Sequence, residues 1–268
     1  MQERYGNEKV RKMMEEKTVV LLASHGGTNV EQIVLQTRGL KLPIKFVCGC
    51  NNPPSKAEVY DRMKNLGVEM HRVPSKNEFA AVYELLDCYK PDLVAMGGYL
   101  PQLPPGIVNN YYAVNVHPAV LPDMYKASYH TYEDALNSGD LYTGITIHRA
   151  NEKYDEGDIL SQIIFEIPES VRASATRKGD LDMLKAIGLR HEYAIFTRTI
   201  HSLLESGNKP ALMRLDMAAV AKQAQENLKT NNLPEVRTFI PGEGRLRFTE
   251  FDPKQSYWQR KGQAVRCG

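Results

Sequence analysis

Asn115 and His117 lie two residues apart in the run AVNVHPAVLP, residues 113–122. In a β-strand, residues i and i+2 share a face. A carboxamide and an imidazole would then stand side by side where a buried strand would carry two more valines. The carboxamide can donate to a developing oxyanion, and the imidazole can move a proton near neutral pH. Pro118 cannot donate a ladder hydrogen bond, so the strand ends there and both side chains can face a cleft. The plain alternative is a loop-capping Asn115 and a satisfied buried His117, and for a lone histidine that alternative would win.

Two further groups could join them. Asp155, in YDEGDIL, is either a carboxylate brought in to orient a histidine or a turn aspartate beside Gly157; the residues leave both readings open. The loop SHGGTN, residues 24–29, leads from an apolar run into a helical pattern. Gly26 and Gly27 let a backbone approach a ligand closely, Thr28 and Asn29 add polar side chains, and a helix N-terminus offers unpaired N–H groups to an anion. A simple helix cap uses the same residue types. The loop lacks the lysine of a Walker motif and is not GxGxxG. There is no GxSxG elbow for a serine hydrolase. The histidines at 71, 130, 148, 191 and 201 form no HExxH-like set, so no metal is predicted.

The elements that must position these groups read as an alternation of strand and helix. Thr18–Ala23 is almost continuously apolar, the mark of a strand buried on both faces. Ile44–Cys50, Val68–Val73 and Leu93–Met96 are the next strands, with helices over about 56–66 and 78–88, and AVNVH is the fifth strand. This pattern predicts a doubly wound, mostly parallel, Rossmann-like α/β sheet, in which ligands lie beyond the carboxyl ends of the strands. An irregular stretch at 119–130 precedes a helix near 132–138. Gly144–Arg149 and Ile159–Ile167 then form a hairpin-like edge, and a long helix spans about 181–204. In the last sixty residues, the alternation RLRFTEF predicts an added strand, as a cap over the cleft or as a dimer arm.

Bulk properties exclude several classes. The 268 residues carry 34 Lys+Arg against 32 Asp+Glu, a net charge of +2, which gives no push toward nucleic acid. The four cysteines show no zinc-like spacing and read as reduced structural thiols. Residues 1–17 are polar and helical in pattern, without the apolar core of a signal peptide. No apolar run approaches membrane-spanning length, so a cytoplasmic protein is expected.

Taken together, these residues resemble the formyltransferase family that uses 10-formyltetrahydrofolate. The likeness is carried in order by LLASHGGTNVEQIV, KPDLVAMGGYLPQLPPGIV, AVNVHPAVLP, GITIHRANEKYDEGDIL and LKAIGLRHEYAIF. It implies a catalytic domain over 18–205, a polar N-terminal extension over 1–17 and a C-terminal extension over 206–268. It implies that Asn115, His117 and Asp155 are the catalytic trio, with Asn115 and a protonated His117 stabilising a tetrahedral oxyanion and Asp155 holding the charge of His117. The folate co-substrate would lie on Leu100, Pro101, Gln102, Leu103 and Val108, and on the turn Ala150, Asn151, Glu152 and Asp155. The amine substrate would lie on Gly26, Gly27, Thr28 and Asn29, with Gly98, Pro118 and Glu192, the last binding ribose hydroxyls. Without the resemblance, Glu192 reads as a solvated charge on an amphipathic helix.

The partners so implied are folate and a small phosphorylated amine, above all glycinamide ribonucleotide of purine synthesis. No nucleic acid or membrane is expected, and a homodimer is one use of the tail. A nucleotide-linked amino sugar is the alternative acceptor, and a non-catalytic folate- or nucleotide-binding module the alternative of another class. A formyltetrahydrofolate hydrolase shares the trio but would carry a further N-terminal domain, and a methionyl-tRNA formyltransferase would need a larger C-terminal β domain. The chain departs from the family in a glycine-free loop at 123–132, in His25, and in Pro101-Gln102 where a basic residue is usual.

Overall fold

The computed structural model describes residues 16–40, 42–75, 79–122, 124–172 and 178–207, with two strands at 236–239 and 247–249. The polar N-terminal extension and most of the C-terminal tail fall outside the described residues. Among the described residues, nine strands form one sheet, in the order β3-β2-β1-β4-β5-β6-β7-β8-β9. They are β1 (Lys17–Ala23), β2 (Ile44–Cys50), β3 (Glu69–Arg72), β4 (Leu93–Met96), β5 (Ala113–His117), β6 (Tyr142–Arg149), β7 (Ile159–Glu166), β8 (Val236–Phe239) and β9 (Arg247–Thr249). The first five pair in parallel and the last four continue antiparallel from β5. This is the expected doubly wound α/β sheet, and the tail adds two strands to its far edge.

Strand periodicity divides the core in two. Val19, Leu21 and Ala23 of β1 face one side of the sheet, and Val20 and Leu22 the other. The first side is covered by α1 (Thr28–Gly39), α2 (Val59–Asn65), α5 (Thr131–Ser138), α6 (Glu169–Arg172) and α7 (Lys178–Glu205). The second is covered by α3 (Ala80–Tyr89) and α4 (Pro105–Val108). Leu21 and Leu22 are both fully buried, each worth roughly 1.5–3 kcal/mol relative to exposure. A strand sandwiched between helices must be apolar on both faces, which is why TVVLLA shows no alternation.

The same parallel order brings the carboxyl ends of β1, β4 and β5 together. Leaving β1, Ser24 N donates to Gly98 O at 3.1 Å, and Ser24 Oγ accepts from Leu100 N at 2.9 Å, so the loops after β1 and β4 are tied to each other. Beyond β5, Thr146 Oγ1 donates to Ala119 O at 2.7 Å, and Gln162 Nε2 donates to Leu121 O at 2.9 Å. These bonds from β6 and β7 hold the chain just after Pro118 in place.

Candidate active site

Asn115 and His117 occupy alternate positions of β5, while Val114 and Val116 pack into the opposite core. The expected shared face is therefore present. His117 is 5% exposed. The Leu121 and Ala119 contacts fix the strand end from which its ring projects.

Asp155 arrives from the turn between β6 and β7. Its backbone is left-handed, with φ of 52°, which aspartate tolerates better than most residues. The turn is held where Arg149 N donates to Asp158 O at 2.9 Å. Gly157 is required there, because a Cβ on it would sit 1.6 Å from Arg149 O. The result sets Asp155 Oδ2 3.3 Å from His117 Nδ1, and Asp155 Oδ1 3.5 Å from Asn115 Nδ2. All three members of the expected trio thus come together, although forty residues separate two of them in sequence.

A fourth group was missed. His148 Nε2 lies 3.2 Å from Asn115 Nδ2 and 3.3 Å from Asp155 Oδ1. His148 sits directly across from Asn115 in the antiparallel β5–β6 pair. A search for metal-ligand spacing along the chain cannot find such a partner. Cross-strand pairing of two polar residues in otherwise apolar strands was the available signal.

Burial is the largest influence on both charged members of the trio. It lowers the pKa of His117 below the ordinary imidazole value, outweighing the Asp155 carboxylate and the Tyr125 carbonyl, which both favour the charged ring. In Asp155, burial pushes upward but is outweighed by the His148 hydrogen bond and by the charges of His117 and His148, so the carboxyl lies below its usual value. Burial thus disfavours the charged ring of His117, while the contacts of Asp155 favour its ionised form.

The two segments expected to hold folate face each other. Gln102 Nε2 donates to Glu152 O at 2.5 Å, and Asn109 Nδ2 to Glu152 Oε1 at 3.0 Å. Leu103, Val108 and Ala150 share the second core, and Leu100 is exposed beside them. Asn151 Oδ1 accepts from Lys153 N at 3.0 Å, shaping the turn.

At the β1–α1 loop, Gly27 has φ of 70°, and a Cβ there would meet Val59 Cγ2 at 2.3 Å. Gly98, with φ of 78°, stands at the neighbouring strand end. Asn52 Nδ2 donates to Ser24 O at 2.6 Å and stands 3.2 Å from His25 Nδ1. Asn29 Nδ2 donates to Glu192 Oε2 at 2.9 Å, joining this loop to α7. Glu192 is 5% exposed, and burial raises its pKa to about 7. The reading of Glu192 as a solvated surface charge is thereby overturned, because the long helix buries the face that carries it.

The formyl transferase family pattern matches residues 17–178. The chain belongs to that family. It is 27% identical over 224 residues to the phosphoribosylglycinamide formyltransferase of Haemophilus influenzae, covering 79% of this chain and 99% of that protein. It is also 27% identical over 156 residues to the phosphoribosylglycinamide formyltransferase of Escherichia coli, covering 54% of this chain and 70% of that protein. The crystal structure of phosphoribosylglycinamide formyltransferase from Bacillus halodurans superposes with a TM-score of 0.61 at 27% identity, over 70% of this chain and 95% of that one. The formyltransferase described here is thus a folate-dependent enzyme whose formyl donor is 10-formyltetrahydrofolate. Among its described residues, no group of three or more His, Cys, Asp or Glu is set to hold a metal ion, and no helix is long and apolar enough to cross a membrane.

Proposed function

We propose that this formyltransferase moves the formyl group of 10-formyltetrahydrofolate onto the primary amine of glycinamide ribonucleotide in purine synthesis, with Asn115, His117 and Asp155 as its catalytic residues. The observation that carries the reading is the position of Asp155, within 3.5 Å of both Asn115 and His117 beyond the carboxyl end of β5. The neutral amine attacks the formyl carbon, and the carbonyl π electrons move onto oxygen. Asn115 donates a hydrogen bond to that oxyanion. His117 enters the reaction neutral, takes a proton from the newly bonded nitrogen, and becomes the imidazolium expected from the family. Asp155 holds that charge. As the oxyanion re-forms its carbonyl, the bond to the folate nitrogen breaks, and the proton passes to that nitrogen. The products are the formamide and tetrahydrofolate.

The acceptor assignment draws on the Gly26–Asn29 loop for a phosphate and on the buried Asn29–Glu192 pair for sugar hydroxyls. The folate would rest on Leu100–Leu103, Val108 and the 150–155 turn, with Pro118 and Gly98 bordering the amine. The test is to supply the full chain with 10-formyltetrahydrofolate and either glycinamide ribonucleotide or a nucleotide-linked amino sugar, and to weigh the products by mass spectrometry. A 28-dalton gain on glycinamide ribonucleotide, about the mass that replaces one N–H by N–CHO, is the expected result. Formylation of the amino sugar alone would overturn the acceptor assignment while leaving the chemistry in place.

A further inference from the structure

Three helices bring a buried polar cluster together. Asn29 is the second residue of α1, Tyr132 the second residue of α5, and Glu192 lies midway along α7. Their exposures are 9%, 7% and 5%, so each is at least nine-tenths buried. The Asn29–Glu192 hydrogen bond joins the first helix to the third. The Tyr132 hydroxyl reaches α7 at Gly188, where a Cβ would sit 1.8 Å from it. Gly188 and Glu192 are four residues apart on that helix and so share a face. The missing side chain at Gly188 is what admits the hydroxyl there.

The cluster does not satisfy itself. Among the described residues, neither the Tyr132 hydroxyl nor Asn29 Oδ1 has a hydrogen-bond partner. Turning the amide over would pair Oδ1 with a protonated Glu192 and leave Nδ2 over instead, so one amide atom stays unmatched either way. Buried polar atoms are matched in the great majority of cases, because each unmatched one costs stability. Two in one cluster, contributed by separate helices, are a cost that the fold itself does not explain. Burial, and then the Glu192 carboxyl, raise the pKa of Tyr132, so the phenol keeps its proton and can donate.

These unmatched atoms define a ligand. A hydroxyl group can accept from the phenol and donate to the amide oxygen, or accept from the amide nitrogen. It brings no second charge to be desolvated beside Glu192. Asn29 also ends the Gly26–Asn29 loop, which the reading above gives to a phosphate. We propose that Tyr132 is a specificity-determining residue for the amine substrate, its hydroxyl binding a sugar hydroxyl of a phosphorylated pentose alongside Asn29 and Glu192. The inference rests on the acceptor reading given above and deepens it with a residue from a third helix.

The test is Tyr132→Phe in the full chain, which removes one oxygen and keeps the ring. Two ligands are titrated by NMR, ribose 5-phosphate and propyl phosphate, the second having a phosphate without sugar hydroxyls. The variant should bind ribose 5-phosphate about 3- to 10-fold more weakly, the worth of one neutral hydrogen bond. It should bind propyl phosphate as the wild type does. KM for glycinamide ribonucleotide should rise by the same factor, with kcat within about twofold. Without ligand, the thermal midpoint should match or exceed that of the wild type, since an unmatched buried hydroxyl gives the fold nothing. A purely structural role predicts the reverse, a lower midpoint with equal losses for both ligands. That result, or unchanged binding of ribose 5-phosphate, would overturn the assignment. Formylation of the amino sugar alone, with the ribose 5-phosphate loss intact, would overturn the acceptor proposed above and leave the sugar contact standing.

Discussion

His148 Nε2 stands 3.2 Å from Asn115 Nδ2 because β5 and β6 pair antiparallel with these two residues directly opposed. The same ring nitrogen is 3.3 Å from Asp155 Oδ1. One histidine on the neighbouring strand therefore touches two members of the trio, its Nε2 donating to Asp155 or accepting from Asn115, one at a time.

His148 is thus a positioning residue for Asn115 and Asp155. His148→Ala should lower kcat by about 10- to 100-fold, the scale on which small displacements of reacting groups act. KM for folate should change much less than kcat, since His148 reaches the folate turn only through Asp155. The check is steady-state kinetics beside a thermal melt. A raised KM with unchanged kcat would assign His148 to binding instead.

Removing the proton-handling group has a larger effect. His117→Ala should lower kcat by about 10²–10⁴-fold, the usual contribution of a positioned acid–base group. Folate binding should stay within about tenfold, which equilibrium titration with a folate analogue would measure. Comparable turnover in mutant and wild type would remove His117 from the mechanism.

One buried and two partly buried groups of the long helix contribute opposing terms to the pH dependence of stability. Burial lowers His191 and His201 to about 4, below the ordinary 6.5. Their contribution to stability is complete above 6.5 and is lost as pH falls toward 4. Burial raises Glu192 from 4.5 to about 7, so its contribution is complete below 4.5 and is lost as pH rises toward 7. The two effects oppose each other across the same range. Glu192→Gln keeps an amide oxygen for Asn29 but cannot titrate. Between pH 4.5 and 7 its stability should therefore rise more steeply with pH than that of the wild type, by about 1.4 kcal/mol per pH unit. Urea unfolding at several pH values measures the difference, and parallel curves would place Glu192 in a solvated setting.

How much of this was legible in the sequence depended on the kind of constraint. Ile44–Cys50 and Leu93–Met96 are read at their observed bounds, because strands covered on both faces leave unbroken apolar runs. The helix at Pro105–Val108 was not read, since four residues cannot display a 3.6-residue period. Asn115 and His117 were legible as a pair because strand geometry alone joins them. Asp155 needed the family resemblance, and His148 needed the register of a strand pair, which no local spacing contains. Glu192 was misjudged from the residues alone because a helix with a charge every few positions hides which face it buries. Residues 125–129 show in the sequence only as an irregular stretch, since their contacts with His117 and Asp155 use backbone atoms of Tyr125 and Ala127, whose left-handed φ values neither residue type announces.

The turn that carries Asp155 offers a further check. Gly157→Ala would place a Cβ on Arg149 O, forcing the turn apart and drawing Asp155 away from His117. Activity should fall by at least about tenfold, and the thermal midpoint by several degrees, about what 1–2 kcal/mol of strain does to a domain of this size. Kinetics and calorimetry on the same preparation would show both losses. A variant with wild-type activity would mean that the turn does not hold Asp155 in place.

Transfer of a formyl group from folate to an amine is the reaction proposed for this site. The most direct measurement is the release of tetrahydrofolate from 10-formyltetrahydrofolate, followed by absorbance with and without glycinamide ribonucleotide. Release should depend on the amine and be lost in Asn115→Ala. Release at the same rate without any amine would contradict it and mark the protein as a hydrolase.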